Sequence, residues 1–198
     1  MIMNSIKNRK IKTNQLTTIG MLSAICVVLG LTGYGFIPLP GAKATIMHIP
    51  VIIGSIIGGP IVGMTIGLIF GIFSIMQNIM APNILSFAFI NPLVSILPRV
   101  LIGLTSYYVY KLNFIKNDSL KIGLATVIGS LTNTFGVLTM IYFLYAAKFA
   151  IAKGIPASVA AKTIYGIAVL NGVPEAIIAT IITIPVVLSI KKIKSTTL

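Results

Sequence analysis

At 198 residues, 57% of them hydrophobic and only 9% charged, with a mean hydropathy of +1.05, the chain lies far from a soluble domain, which carries about a quarter charged residues. A formal net charge of +13 would point to nucleic acid in a soluble protein, but here the basic residues gather at the ends of apolar segments, where the positive-inside rule accounts for them. A nucleic-acid module is not needed, and lipid is the natural solvent for segments that have no water-facing stripe.

The N-terminus places Lys7, Arg9, Lys10 and Lys12 before a long apolar run. It resembles a signal-peptide start, and Leu22–Cys26 a lipoprotein signal, but Ile25 stands where a small residue belongs, so the segment reads as a retained first helix. Cys26 within it has no partner cysteine in the chain and reads as a small packing residue. Crossing the hydrocarbon core takes about 20 residues, which leaves room for roughly six spans. They are placed at Leu16–Phe36, Ala44–Ile57, Pro60–Met80, Phe89–Tyr110, Leu120–Ala147 and Thr163–Ile190. Pro38, Pro40 and Gly41 end the first span, Gly58-Gly59-Pro60 separates the second from the third, and Ala81-Pro82-Asn83 ends the third. Lys111–Lys121 and Lys148–Lys162 read as polar connectors.

The second span is short, yet Ala44–Met80 as one helix would be about 55 Å long against a core of about 30 Å, so a break is required. Charge decides the side of each loop. With six spans, the four N-terminal cations fall on the cytoplasmic side with Lys111, Lys116, Lys121, Lys191, Lys192 and Lys194, against Lys43, Lys148, Lys153 and Lys162 outside. Five spans would erase that bias. The predicted fold is an all-α membrane protein, one domain over residues 1–198, a compact bundle of six transmembrane helices with both termini cytoplasmic.

Charges inside spans are costly and mark function. The chain has two acidic residues: Asp118, read as solvated in a connector, and Glu175 in the sixth span. Arg99 lies in the fourth, where Asn91, Ser95, Arg99, Gly103 and Tyr107 recur every four residues along one face. Pro92 and Pro98 should bend that helix and free backbone carbonyls. Asn171 and Glu175 share a face of the sixth span, and Ser130, Asn133 and Thr134 form a polar patch on the fifth. These residues outline a binding cavity among the last three spans with Arg99 facing an anion; the alternative is that Arg99 and Glu175 simply pair and the asparagines bridge helices.

Other positions carry less. His48 has no partners at metal-ligand spacing and is expected to bond a loop or sit near the entrance. Lys43 attracts an anion or marks the membrane surface, Asn83 reads as a turn residue, and Tyr142 and Tyr145 as interface anchors. No Walker-type loop, HExxH or GxSxG occurs, so ATP hydrolysis and the common hydrolase chemistries have no support. Gly20 and Ala24, one turn apart, give the first span a small-residue face for a neighbouring helix, inside the protein or on a partner.

The basic N-terminus before Gly20-x-x-x-Ala24, the segment Met47-His48-Ile49-Pro50-Val51-Ile52-Ile53-Gly54 and the following Gly58-Gly59-Pro60-Ile61-Val62-Gly63 resemble the substrate-binding S component of an energy-coupling factor (ECF) transporter over nearly the whole length. Asn91-Pro92 through Pro98-Arg99, Gly129-Ser130-Leu131-Thr132-Asn133-Thr134 and Asn171-Gly172-Val173-Pro174-Glu175 are most similar to its pantothenate-type PanT group. Gly20 replaces the first alanine of the family's Ala-x-x-x-Ala docking motif. The resemblance implies capture of a water-soluble vitamin at the outer face under three loops, then docking through Gly20 and Ala24 on the membrane protein EcfT. EcfT carries two ATPases that consume the ATP, so no cofactor belongs to this chain, and the S component topples to deliver its cargo. Pantothenate is a carboxylate suited to Arg99, with Asn91, Asn133 and Asn171 for its amide and hydroxyls; the implied substrate set also includes Ser95, Glu175, Lys43 and His48. The other readings are an S component for folate or a thiamine precursor, a stand-alone secondary transporter, or an intramembrane enzyme.

Overall fold

The computed structural model describes residues 13–39, 42–112 and 115–196, without the side chains of 37–39, 42–44, 194 and 196. Thr13–Thr32 forms α1, and the chain then turns at Gly33, whose φ of +75° suits glycine, into a two-stranded antiparallel hairpin of Phe36–Leu39 (β1) and Ala42–Thr45 (β2). Phe36 pairs with Thr45 and Leu39 with Ala42. Ile49–Gly58 (α2) and Pro60–Met80 (α3) follow, then the short helices Ser86–Phe89 (α4) and Pro92–Ser95 (α5), Leu97–Tyr110 (α6), Asp118–Lys153 (α7), a 3-10 turn at Ala157–Val159 and Ala160–Thr196 (α8). Five helical segments are long and apolar enough to cross a membrane (α1, α3, Pro92–Tyr110, α7 and the segment Ala157–Ile193), and α2 is a shorter apolar helix.

The second span therefore differs from expectation. Residues Ala44 and Thr45 pair as strand rather than helix, and α2 has only ten residues, about 15 Å. Every residue from Ile49 to Ile56 is buried, so α2 sits inside the protein and not against lipid. Around it Cys26, Val51, Ile52, Val62, Ile66 and Ile102 form the main core. Cys26 is the packing residue expected, fully buried, its thiol donating to the Met47 carbonyl.

Proline and glycine set the remaining boundaries. Pro60 opens α3 after Gly59, whose φ of +98° reverses the chain, and Pro92 and Pro98 sit in the first turns of α5 and α6, positions that tolerate proline. The fourth span is thus two helices, α5 and α6, and the prolines restart it rather than bend it. Its α6 packs backbone to backbone on α3 along Gly63, Gly67 and Gly71: a Cβ on Gly67 would stand 2.2 Å from the Arg99 carbonyl oxygen, and one on Gly71 would stand 2.8 Å from the Ile96 Cα. The connector expected from Lys148 remains helical to Lys153, with a kink at Tyr145, because the first breaker in the sequence is Gly154, which caps α7 in the left-handed region.

At the far end from the hairpin, Asn117 caps α7 by accepting from Ser119 and Leu120. Asp118 is not merely solvated: it pairs with Lys191 of α8, which also donates to the Tyr110 hydroxyl of α6 at 2.8 Å.

Candidate functional site

Pro98 has no N–H to give the Val94 carbonyl four residues back, and the Arg99 side chain takes its place, Nη1 donating to that oxygen at 2.8 Å. Among the described residues this is the guanidinium's one hydrogen bond, and its Nε is buried without a partner. Cζ lies 5.5 Å from the Phe70 ring centroid and 5.7 Å from that of Phe89, so two aromatic rings flank a cation only 6% exposed.

Glu175 is buried at 3% exposure on α8, just after Pro174. One carboxylate oxygen accepts the Thr45 backbone N–H at 2.8 Å, and the other accepts the Thr134 hydroxyl at 2.6 Å. No ion pair joins it to Arg99 among the described residues, although the two lie within electrostatic reach. The direct Arg99–Glu175 bridge considered from the sequence does not form. Instead the carboxylate ties the hairpin to α7 and α8.

His48, at the N-cap of α2, is fully buried, and among the described residues neither ring nitrogen has a hydrogen-bond partner. It neither bonds a loop nor lies at a surface. Asn133 is buried with its Oδ1 unpartnered, as is the Ser130 hydroxyl one turn away. Asn171 is half-buried one turn before Glu175. Buried polar atoms without partners cost about 1–3 kcal/mol each, so native proteins keep few of them outside functional sites. The interior between α2, α6, α7 and α8 holds several.

Two predicted positions have other work. Asn91 caps α5, accepting from Leu93 at 2.9 Å, and donates to the Tyr145 hydroxyl at 2.9 Å; the Ser95 hydroxyl donates to the Phe89 carbonyl. Both hold the break in the fourth span. The half-buried Tyr145 ring also meets the Phe87 ring edge-on at 5.6 Å, and Tyr142 packs near Tyr165. Asn83 is the turn residue expected: its Oδ1 accepts from Leu85 and its amide donates to Asn78. The backbone of Lys43 pairs with Pro38 in the hairpin, and its side chain lies outside the described residues.

Gly20 has nothing within 4 Å of where a Cβ would stand, and Ala24 is exposed beside Met21, Ile25 and Val28. Their shared face points out of the bundle, so it does not serve packing within this chain.

Phe70, Phe89, Thr45 and Thr134 are the neighbours that Arg99 and Glu175 acquire through folding. Only Thr134 stood out in the sequence, as part of a polar patch; the aromatic flanks look like ordinary core residues, and Thr45 acts through its backbone.

The family model described as "ECF transporter, substrate-specific component" matches residues 14–187. The pantothenic acid transporter PanT of Lactococcus lactis subsp. cremoris (strain MG1363) is 32% identical over an alignment 206 positions long, which covers 94% of this chain and 98% of that protein.

Proposed function

The chain belongs to the family of substrate-specific components of ECF transporters, and on that premise we propose that it captures pantothenate beneath the Phe36–Thr45 hairpin for ATP-driven uptake by a separate coupling module. It is a transporter component of the bacterial cell membrane, passing the membrane several times. The observation that carries the choice of ligand is Arg99, a buried cation with no ion pair among the described residues, in a chain so similar to a pantothenic acid transporter. In a water-poor interior an arginine without a counter-ion is suited to a carboxylate, which it can meet with two parallel hydrogen bonds. His48, Asn133 and Asn171 are the partners for the amide and hydroxyls, while Asn91 and Ser95 support the scaffold. Lys43 belongs to β2 of the hairpin and brings a positive charge to that element in the sequence.

In this reading the protein crosses six times, with α2 and the hairpin together forming the second crossing and both termini cytoplasmic, as the distribution of cations favours. The outward face of α1 around Gly20 and Ala24 docks on EcfT, which carries two ATPases. The absence of any nucleotide-binding loop in the sequence fits that division of labour. The direct test is calorimetric titration of pantothenate into purified protein and its Arg99→Ala variant. Loss of a charge-assisted bidentate pair should weaken binding on the order of 100-fold while the variant keeps its helical circular dichroism. Unchanged affinity would remove Arg99 from the site.

A further inference from the structure

The two rings beside Arg99 have no part in the function proposed above, and their placement is specific. Phe70 and Gly67 stand one turn apart on α3, so the same helix that seats the Arg99 backbone against a bare glycine also lays a ring beside its guanidinium. Phe89, at the end of α4, supplies the second ring across the Pro92 and Pro98 breaks, and its own carbonyl is fixed by the Ser95 hydroxyl. A carboxylate in this position would neutralise the arginine. Aromatic faces attract a cation through their quadrupole yet leave its net charge in place.

We infer that Phe70 and Phe89 are positioning residues that hold Arg99 in place without neutralising it, so that the site discriminates for a ligand carboxylate. The inference rests on the reading of the Arg99 surroundings as a pantothenate site. It makes the rings determinants of selectivity rather than of affinity in general: their removal lets the guanidinium swing, which weakens recognition of the anionic end and leaves the rest of the ligand's contacts intact.

The experiment compares pantothenate with pantothenol, in which a primary alcohol replaces the carboxylate, by calorimetry on the full chain in nanodiscs. In Phe70→Leu and Phe89→Leu the preference for pantothenate over pantothenol should fall roughly 3- to 30-fold, the range a desolvated cation–π contact supports, with pantothenol affinity unchanged. Phe70→Tyr and Phe89→Tyr, which keep the ring, should restore it. An equal loss for both ligands, or an unchanged preference, would overturn the proposal.

A ligand-free readout separates this outcome from failure of the pantothenate reading. Arg9 and Arg99 are the chain's arginines, so an 15N NMR spectrum of the Nε–H groups is simple to assign. The Arg99 Nε–H proton should be displaced upfield by the ring currents, lose that displacement in the leucine variants and keep it in the tyrosine variants. If the unaltered chain binds no pantothenate but shows this pattern, the ligand reading fails and the ring clamp stands. If the Arg99 signal is the same in all variants, the clamp is wrong whatever the ligand.

Discussion

Pro98 and Arg99 show how two adjacent residues solve one problem of a low-dielectric interior. The proline leaves the Val94 carbonyl without its helical donor, and the arginine next to it needs an acceptor; each satisfies the other. Glu175 is different, since its partners come from distant segments: Thr45 lies on the hairpin and Thr134 on α7. Glu175→Gln puts an amide NH2 where one of these donors points, which should weaken the hairpin's attachment by about 1–3 kcal/mol. Faster proteolytic cleavage between residues 36 and 45 and a pantothenate off-rate raised roughly tenfold are the expected readouts. A hairpin as resistant as in the unaltered chain would show that the carboxylate does not hold it. Arg99, Glu175 and Asn133 were legible in the sequence because a polar group within an apolar span is costly enough to stand out. Phe70 and Phe89 were not, because an aromatic residue among aliphatic ones carries no such mark.

Among the elements, α3 depends on what it lacks. Gly63, Gly67 and Gly71, spaced four apart, bring its backbone against Gly103, Arg99 and Ile96. This spacing is the small-residue pattern of close membrane helices, the kind that the Gly20–Ala24 pair also shows, but only that pair stood out in the sequence analysis. Gly67→Ala forces the α6 backbone away and should destabilise the protein by about 1–3 kcal/mol, lowering its thermal midpoint by circular dichroism and its pantothenate affinity together. Gly20→Ala, with open space at its Cβ, should leave the midpoint where it is. If both substitutions behave alike, the close approach of α3 and α6 is not under strain from a methyl group. Hydropathy matched α3 at both ends and came within four residues of the ends of α1. It missed the division between hairpin and α2, because four apolar-rich residues read alike as strand or helix until their pairing partner across the turn is known. It also carried the fourth span through the Pro92 and Pro98 breaks, and stopped α7 early because lysines 148 and 153 look like a connector although nothing before Gly154 ends the helix.

For the whole molecule, the proposed function assigns capture and delivery to different places, the interior under the hairpin and the outward face of α1. A bulky residue on that face should therefore separate them. Ala24→Trp is expected to abolish pantothenate uptake by cells while leaving calorimetric binding to the purified chain unchanged; undiminished co-purification of the variant with EcfT would argue against this face as the contact. The short helix α2 has a consequence for the size of the delivery step. It runs back alongside α3 from their shared turn at Gly59, Ser55 meeting Gly63 and Met47 reaching the level of Phe73, so that His48 stands well inside α3's 21-residue length. The Arg99 guanidinium lies beside Phe70, ten residues from Pro60 or about 15 Å along a helix of about 31 Å. In the proposed function, a vitamin whose carboxylate meets Arg99 would rest about half-way along α3 at the moment of capture. The later reorientation would then have about 15 Å of α3's length left to open rather than all of it.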